Sequence, residues 1–368
     1  MRLDELEVRN LRVLSSVECS PGDYLNVFVG ANGSGKTSIL EGIHVLGSGR
    51  SFRTHRLSEL ITRDQSWLRV RGVIRGADGA SESVGVEKGA EGLRIRLAGD
   101  EVRNASELAR RLPLVVITPD SQRLLTDGAV LRRQLMDWAL FHVEPTYLSV
   151  LQRYKQALRQ RNAALRDGAG PAALAPWDQE TAEAGDALHR LRDRFLESIL
   201  PVYGETLENL ISMGVEIRYQ PGWDAATGLS QALQGNLVTD RARGFTGVGP
   251  HRADLRFTTE GAAVHHVLSR GEGKLFVVGL VLAQARFLQD AQGRRPVVLV
   301  DDLASELDED SRERFFAQLR LLGAQVFVTT VSRDLVETKD WEGLRVFHVE
   351  RGEPLKMVQS GGSTLRGF

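Results

Sequence analysis

Apolar residues recur at two different spacings along the chain, and the spacing near the amino terminus is that of β-strands. Residues 3–8 and 24–29 are short, partly apolar and β-prone, and the second run leads directly into a glycine-rich loop. Residues 37–46 follow with the apolar spacing of a helix. This order predicts a strand, a glycine loop and a helix close to the start of the chain.

The region after this helix predicts further strands. Residues 67–74, 82–87 and 93–97 are alternating segments separated by glycine-rich turns, which is typical of an antiparallel sheet. The apolar run 114–118 ends at a proline and is predicted to be a buried strand.

The spacing becomes helical from residue 121 to residue 212, where Arg, Leu, Ala and Gln are frequent. Gly and Pro in DGAGPAALAPWD predict a turn or loop between two long helices. Lys155, Arg159 and Arg166 are interpreted as a solvated basic flank, because charge runs usually face solvent. They lie beside the apolar stripe of the first helix, which is formed by Leu148, Leu151, Tyr154, Leu158 and Leu165.

Strand patterns return in the last third of the chain. Residues 215–219 and 253–258 are β-prone, and the strongly apolar runs 296–300 and 325–330 enclose a helical pattern at 309–322. A strand, a helix and a strand at this spacing predict the end of a parallel α/β sheet.

Composition limits the class of protein. The 368 residues include 47 basic and 48 acidic side chains, and the formal charge of -1 means that a polyanion must be met by a local patch. One cysteine, Cys19, excludes an internal disulfide and fits a reducing compartment. Neither a secretory segment nor a long apolar run is apparent, so the expected location is the cytoplasm.

The glycine loop reads GANGSGKT, a full match to the phosphate-binding pattern. Its glycines let backbone N–H groups face phosphates at a helix N-terminus, where the helix dipole favours anions. Lys36 adds a positive charge near the terminal phosphates, and the Thr37 hydroxyl is a predicted Mg²⁺ ligand. The predicted nucleotide-binding residues are Gly30, Ala31, Asn32, Gly33, Ser34, Gly35, Lys36, Thr37 and Ser38.

Two acids follow the apolar strand VVLV. A magnesium nucleotide needs one carboxylate for the metal and a second to orient the attacking water. Asp301 is the predicted metal residue and Asp302 the predicted base. Because this strand and the glycine loop must meet at one magnesium ion, residues 1–120 and 213–368 are predicted to form one ATP-binding lobe. Residues 121–212 are predicted to form a second, helical lobe.

A third segment, LSRGEGK, precedes a long apolar helix. Ser269 and Gly271 present a hydroxyl and exposed N–H groups at its N-terminus, which by itself is more typical of an ordinary helix cap. Its place before the double-Asp strand is similar to the signature of ATP-binding cassette proteins. In those proteins this element reaches the γ-phosphate held by the other subunit.

The combined motifs resemble the RecF family. GANGSGKT, LSRGEGK, VVLVDDLASELD and VTT occur in the order of the cassette ATPases of chromosome maintenance and repair. The resemblance extends to LGSGRSFRTHR, TPDSQRLLTDGAVLRRQLMD and TGVGPHRADL. It implies an α/β fold, an ABC-type ATPase head with a mixed sheet in lobe I and a helical insertion as lobe II. ATP and Mg²⁺ are the implied cofactors.

The same resemblance implies roles for single residues. Asp308 would be the D-loop aspartate that contacts the partner subunit, and Thr329 or Thr330 would occupy the switch position. Gln122 would be the Q-loop ligand of the magnesium. Arg270 and Glu272 depart from the usual signature, and a carboxylate at Glu272 near a triphosphate is unexpected because like charges repel.

The histidines do not predict a metal site. His251 and the pair His265–His266 lack three clustered ligands at metal spacing, so a structural or hydrogen-bonding role is expected for them.

Three functions are compatible with a bound nucleotide: a DNA-binding switch, a monomeric P-loop kinase and the ATPase subunit of a membrane transporter. A kinase has no use for a signature or a D-loop acting between chains. In the ATPase subunit of a transporter, the signature follows the glycine loop after many fewer residues than in this chain. The sequence therefore favours a switch.

Basic clusters indicate where DNA would bind. Arg50, Arg53 and Arg56 form one short run, and Arg132 and Arg133 a second, in an otherwise balanced chain. These five residues are the predicted DNA contacts, although surface arginines are common in any protein. For Arg50 and Arg53, contact with the nucleotide or with the dimer seam is the alternative.

The RecF resemblance implies an ATP-dependent homodimer on duplex or gapped DNA, with weak DNA-stimulated ATP hydrolysis that releases it. It also implies RecR and RecO as partners, loading of the recombinase RecA at single-strand gaps, and a role in recombinational repair and the SOS response.

Overall fold

The computed structural model describes residues 1–76, 78–336, 338, 341–353 and 355–360. Its contacts divide the chain into two compact units. The first, the nucleotide unit, comprises Met1–Ser121 and Arg270–Phe368, and the second, the helical unit, comprises Gln122–Ser269.

The elements are numbered along the chain. The strands are β1 (Arg2–Leu11), β2 (Leu14–Cys19), β3 (Leu25–Val29), β4 (Leu68–Arg75), β5 (Ser81–Gly89), β6 (Gly92–Leu97), β7 (Asp100–Val102), β8 (Leu114–Ile117), β9 (Glu216–Gln220), β10 (Asp254–Thr259), β11 (Ala262–Ala263), β12 (Val297–Asp301), β13 (Val326–Thr330), β14 (Arg345–His348) and β15 (Lys356–Ser360). The helices are α1 (Lys36–Ser48), α2 (Ala105–Arg111), α3 (Arg123–Thr126), α4 (Ala129–Val143), α5 (Tyr147–Arg166), α6 (Pro171–Glu208), α7 (Leu229–Gly235), α8 (Leu237–Arg243), α9 (Val264–Val267), α10 (Arg270–Gln292) and α11 (Glu309–Leu322).

One sheet of the nucleotide unit is antiparallel, with the strand order β2-β1-β4-β5-β6-β7. The antiparallel pairing of β4 with β5 and of β5 with β6 confirms the meander predicted from the glycine-rich turns. Strand β4 alternates strictly between buried and less buried positions, because one face of the sheet packs on the core.

The other sheet has the order β15-β14-β3-β13-β12-β8. Strands β8, β12, β13, β3 and β14 are mutually parallel, and β15 pairs antiparallel with β14. All five residues of β12 and of β13 are buried, as expected for a parallel strand covered on both faces. The predicted unit of two parallel strands with helix α11 between them is confirmed.

Helix α1 lies between the two sheets. It contacts β1, β4 and β5 of the antiparallel sheet and β8, β12 and β13 of the parallel sheet. One apolar core therefore includes Val8 and Val70 from the first sheet, Leu46 from α1 and Phe327 from the second. This packing fixes the first turn of α1, which carries Lys36 and Thr37, relative to the end of β12.

The helical unit contains α3 to α9 and a three-stranded antiparallel sheet of order β11-β10-β9. Helices α5 and α6 form an antiparallel hairpin, joined by a short turn in which Gly168 has a φ of 67°. The contacts place residues 213–269 in this unit, whereas the sequence assigned them to the nucleotide lobe. The strand patterns of β9 and β10 suggested a place in the nucleotide lobe. In the structure these two strands pair with each other and form a separate sheet.

Two details of the hairpin differ from the prediction. Helix α6 already begins at Pro171 and continues through Pro176, so the break is shorter than DGAGPAALAPWD suggested. Pro171 occupies the first helical position, where proline is well tolerated because its missing N–H has no intrahelical partner, whereas Pro176 lies inside the helix. In α5 the predicted stripe residues Tyr154 and Leu165 are buried, while Leu148, Leu151 and Leu158 are half-buried.

No helix within the described ranges has both the length and the apolarity required to cross a membrane.

Candidate functional site

The glycine loop connects β3 to α1, as predicted. Gly33 and Gly35 have φ angles of 78° and 113°, in a region that favours glycine. A Cβ atom at Gly35 would lie 2.6 Å from Cδ2 of Leu14, and one at Gly30 would lie 2.3 Å from the carbonyl oxygen of Val349. The loop therefore needs glycine at these positions to bring its backbone N–H groups around an anion.

Lys36 is the first residue of α1, and its side chain is folded over the loop. The ammonium group donates to the carbonyl oxygens of Gly30 at 2.8 Å and Ala31 at 3.0 Å. Burial lowers the pKa of Lys36, while Asp302 and Asp301 oppose this shift. A lysine held close to two carboxylates places one positive charge where the terminal phosphates of a nucleotide would lie.

Asp301 and Thr37 meet at the carboxyl end of β12. The hydroxyl of Thr37 donates to Oδ1 of Asp301 at 2.9 Å, across 264 residues of sequence. Asp301 is 9% exposed, so its carboxylate is largely shielded from bulk water. A hydroxyl and a carboxylate are hard oxygen donors, and Mg²⁺ is commonly bound by one or two carboxylates together with phosphates and water. The donor set therefore fits Mg²⁺.

Asp302 has an unusual backbone. Its φ of 48° lies in the left-handed region, which costs an aspartate free energy and is often found at functional sites. Burial raises the pKa of Asp302, and Lys36 acts in the opposite direction. Atom Oδ1 of Asp302 is buried and, like Oγ of Ser34, makes no hydrogen bond to any described residue. Both are polar atoms that a triphosphate with its water and metal could satisfy.

The two switch candidates, Thr329 and Thr330, have different surroundings. The Thr329 hydroxyl donates to Oδ1 of Asp301 at 2.7 Å and accepts from the backbone N–H of Asp302 at 2.9 Å. The Thr330 hydroxyl donates instead to the carbonyl oxygen of Ser332 at 2.8 Å. Successive side chains of a strand point to opposite faces, so one of the two threonines reaches the acids.

Gly271 of the predicted signature lies close to Asp308 of the predicted D-loop. Helix α10 begins at Arg270, which places exposed Ser269 directly before it and Gly271 in its first turn. A Cβ atom at Gly271 would lie 3.9 Å from Oδ2 of Asp308. Glu272, the unexpected carboxylate, also lies in this first turn, where an acid interacts favourably with the helix dipole.

Asp308 caps helix α11. Its carboxylate accepts from the backbone N–H of Ser311 at 2.8 Å and from the Ser311 hydroxyl at 3.0 Å. These hydrogen bonds lower the pKa of Asp308, so the side chain is ionised near neutral pH. The cap explains an aspartate at this position within one chain, and the contact with a partner subunit stays a prediction.

The sequence has relatives across nearly its whole length. The family model described as "RecF/RecN/SMC N terminal domain" matches residues 2–354. A protein of Thioalkalivibrio sulfidiphilus (strain HL-EbGR7) named "DNA replication and repair protein RecF" is 42% identical over 354 residues, which cover 96% of this chain and 98% of that protein. The chain belongs to the RecF family. A protein of the same name from Pseudomonas aeruginosa (strain LESB58) is 41% identical over 359 residues, covering 96% and 97% of the two chains.

Solved structures agree with the RecF assignment. "Structure of the recombination mediator protein RecF-ATP in RecFOR pathway" has a TM-score of 0.86 and 26% identity, and covers 97% of each chain. A related structure described as RecF-ATPrS has a TM-score of 0.87, with 97% of this chain and 98% of that chain covered. A head of an SMC protein bound to ScpA, at 16% identity and a TM-score of 0.62, shares the fold. The predicted fold class, an ABC-type ATPase head with a helical insertion, is confirmed.

The predicted basic clusters of this RecF-family chain differ in exposure. Arg50, Arg53 and Arg56 are all exposed. The carboxylate of Glu41 in α1 is fully buried, accepts from Arg12 at 2.6 and 2.9 Å, and lies 4.0 Å from Arg53. Sequence patterns did not predict a role for Glu41, although it is the one acidic residue of α1. Its contacts anchor the exposed arginine segment to the helix that follows the glycine loop.

Arg132 does not fit its predicted role as a DNA contact. Its guanidinium is bound to the Asp254 carboxylate at 2.6 and 3.1 Å and also donates to the carbonyl oxygens of Leu124 and Asp127. The side chain is 11% exposed, so its charge is neutralised inside the helical unit. Arg133 donates to the carbonyl oxygen of Ala253 at 2.6 Å, and burial lowers its pKa.

Gln122 ends a turn of 3-10 helix, Pro119–Gln122, and belongs to the helical unit. Its role as a magnesium ligand stays a prediction. Within the part of the chain that the structure describes, no three His, Cys, Asp or Glu side chains converge on a metal-sized site.

A polar cluster inside the helical unit was not predicted. Arg161 of α5 is fully buried and donates to Asp178, to Asp240 and to the hydroxyl of Thr246, each at 2.7 Å. Asp240 is fully buried as well. A buried arginine in the middle of a helix is recognisable from sequence only when its acidic partners are known, and Asp240 lies 79 residues away.

His251 has the hydrogen-bonding role expected for it. Its Nδ1 lies 2.6 Å from the Tyr154 hydroxyl, and its Nε2 lies 3.0 Å from the carbonyl oxygen of Thr246. Burial lowers the pKa of His251 to about 4, so the ring is neutral at physiological pH.

Proposed function

We propose that this RecF-family chain is an ATP-dependent DNA-binding repair protein, in which ATP binding closes a homodimer on duplex or gapped DNA and hydrolysis releases it. The observation that carries the proposal is the contact between Thr37 and Asp301, because it joins the glycine loop to the acidic strand in one oxygen-donor site. The RecF-ATP structure to which the chain is similar supports ATP as the nucleotide.

The residues of one chain divide the work of nucleotide binding. The loop from Gly30 to Gly35 surrounds the phosphates with backbone N–H groups, and Lys36 neutralises their charge. Thr37 and Asp301 hold the metal, while Ser38 continues the first turn of α1. Bound Mg²⁺ would neutralise charge on the phosphate oxygens.

Asp302 is the base. Its raised pKa and its buried Oδ1 suit a carboxylate that accepts a proton from a water molecule, and the hydrogen bond from its own N–H to Thr329 holds it at the end of β12. Hydrolysis in this account is slow and is used as a switch.

The second half of the site comes from a partner subunit. Ser269, Gly271 and Asp308 supply it, and within the nucleotide unit Gly271 lies close to Asp308. A twofold dimer uses the same patch twice, so each nucleotide lies between the glycine loop of one chain and the signature of the other.

The biological role follows the names of the relatives. Those relatives are DNA replication and repair proteins, and the solved structures place a recombination mediator in the RecFOR pathway. The chain is accordingly proposed to act in the cytoplasm, with RecR and RecO as its partners. The proposed outcome is recombinase loading at single-strand gaps during repair, the SOS response and replication restart.

ATP hydrolysis per subunit, followed against protein concentration with and without gapped duplex DNA, tests the proposal. Activity should rise with both, and Ser269→Arg should abolish it while ATP still binds. Lys36→Met should lose nucleotide binding itself. Activity that is independent of concentration, DNA and Ser269 would instead indicate a site complete in one chain.

A further inference from the structure

Helix α5 of the helical unit is unusually rich in positive charge. Its 20 residues, YLSVLQRYKQALRQRNAALR, contain no acidic side chain. In a chain whose formal charge is -1, five basic residues in one helix are a local concentration of charge. They are Arg153, Lys155, Arg159, Arg161 and Arg166.

The fold separates these five residues into two groups. Arg153 is bound to Glu180 at 2.6 Å and to Glu183 at 3.0 Å, and Arg161 is buried against Asp178 and Asp240. Lys155, Arg159 and Arg166 are exposed, and none of them has a carboxylate within 4.0 Å among the described residues. At about 100° per residue, Lys155, Asn162, Arg159 and Arg166 fall within an arc of roughly 60° on the helix surface, opposite Arg153.

A loop of the same unit adds to this surface. Asn162 accepts hydrogen bonds from the backbone N–H and the hydroxyl of Thr246, at 2.8 and 2.7 Å. A Cβ atom at Gly244 would lie 3.1 Å from Cγ of Arg166. The loop therefore lies along the basic face of α5, and exposed Arg243 directly precedes it.

An aromatic residue of this loop lies next to a cation from the turn Pro250–Arg252. Phe245 is 38% exposed, and the guanidinium carbon of Arg252 lies 5.4 Å from the centre of its ring. Neither Arg243 nor Arg252 has a carboxylate within 4.0 Å among the residues that the structure describes. A buried hydrogen bond from Arg161 to the Thr246 hydroxyl fixes the loop against α5. The exposed cations next to the loop are therefore held in place.

We infer that Lys155, Arg159, Arg166, Arg243 and Arg252, here named the basic ridge, bind the phosphodiester backbone of duplex DNA. Guanidinium groups pair well with phosphate oxygens. Contacts to the DNA backbone require cations that are not already paired with carboxylates of the protein. Between Lys155 and Arg166 the helix rises by about 17 Å, which is enough to follow several successive phosphates. The inference rests on the proposed function and names the surface through which it reaches DNA.

The test compares two double variants with the same change in charge. Arg159→Gln with Arg166→Gln removes two ridge cations. Arg190→Gln with Arg194→Gln removes two exposed cations of α6, which line a groove with Thr146 and Val150 on the other side of α5. Binding of the full-length protein with ATP to a fluorescent duplex of random sequence is measured from low to moderate salt, and thermal unfolding confirms that each variant is folded.

The ridge variant should bind at least about tenfold more weakly, and the slope of log affinity against log salt should fall by about two, because each lost phosphate contact removes about 0.9 from that slope. The α6 variant should keep the wild-type slope. Arg159→Lys with Arg166→Lys should retain most of the slope, since the charge remains.

Equal slopes for the ridge and α6 variants would overturn the ridge and leave the proposed function intact. Loss of slope in both would show a general effect of charge and would also overturn it. If the wild-type protein with ATP did not bind duplex DNA, the proposed function itself would fail, and the ridge with it.

Discussion

The hydroxyl of Thr329 bridges Asp301 and Asp302, since it donates to Oδ1 of Asp301 at 2.7 Å and accepts from the N–H of Asp302 at 2.9 Å. Strand register explains this contact, because Asp301 and Thr329 are paired residues in the parallel ladder of β12 and β13. The bridge fixes the proposed metal carboxylate and the backbone of the proposed base together.

Thr329→Val and Thr330→Val form a matched pair of variants. Without the Thr329 hydroxyl, the Asp301 carboxylate loses one of its hydrogen bonds. We therefore expect ATP turnover to fall by about tenfold or more. Thr330→Val disrupts a contact with the Ser332 backbone and should change turnover much less. Steady-state hydrolysis at saturating ATP and Mg²⁺ measures both. Equal losses would contradict the assignment of Thr329 to the site.

Asp302→Asn should separate hydrolysis from binding. The amide cannot accept a proton as a carboxylate does, so single-turnover hydrolysis should fall by at least about 100-fold. Affinity for a fluorescent ATP analogue in the presence of Mg²⁺ should be retained. Asp310→Asn, which makes the same charge change on the exposed surface of α11, is the control. A variant that still hydrolyses ATP at the wild-type rate would remove Asp302 from the mechanism.

Arg161→Met should destabilise the helical unit strongly. It leaves the fully buried carboxylate of Asp240 without its cation, and breaking such a pair costs about 3–5 kcal/mol of the free energy of unfolding. Arg153→Met removes an exposed pair from the same helix and should cost at most about 1 kcal/mol. Urea unfolding of the two variants gives the comparison, and similar costs would contradict the structural role of the Arg161 cluster.

His251 predicts a pH dependence of stability. Its pKa is about 4 in the fold and 6.5 as an ordinary histidine, so between these values the unfolded chain binds more protons. Its contribution is therefore fully present above pH 6.5, is lost as the pH falls, and levels off below about pH 4. The total loss is about 3 kcal/mol.

His251→Gln removes this titration, while the amide of Gln can still form a hydrogen bond with the Tyr154 hydroxyl. The difference in unfolding free energy between wild type and variant, measured by urea unfolding across this pH range, should shrink as the pH falls. Other titrating groups are common to both proteins and cancel. A difference that stays constant with pH would refute the prediction.

Local motifs predicted which two segments of the nucleotide unit come together. GANGSGKT and VVLVDD each combine a strand with the residues that follow it, so their geometry is fixed by neighbouring positions, and the structure joins them through Thr37 and Asp301. The choice between Thr329 and Thr330 needed the register of β13 against β12, which one strand does not reveal.

The helical unit was harder to predict because its charges pair over long distances. Arg132 and Arg159 look alike in the sequence, yet one is neutralised by Asp254, 122 residues away, and the other is exposed. Burial of Arg161 depends in the same way on Asp240. Charge density alone could not separate interior arginines from those that face solvent.

The measurement that tests the shared nucleotide site most directly is subunit complementation between two inactive variants. Lys36→Met lacks a working glycine loop, and Ser269→Arg lacks a working signature. If each site combines the loop of one chain with the signature of the other, a mixed dimer regains one intact site. An equal mixture with ATP, Mg²⁺ and gapped DNA should then recover about one quarter of wild-type hydrolysis, since half of the dimers are mixed and carry one site of two. A mixture no more active than its two components would contradict the shared site.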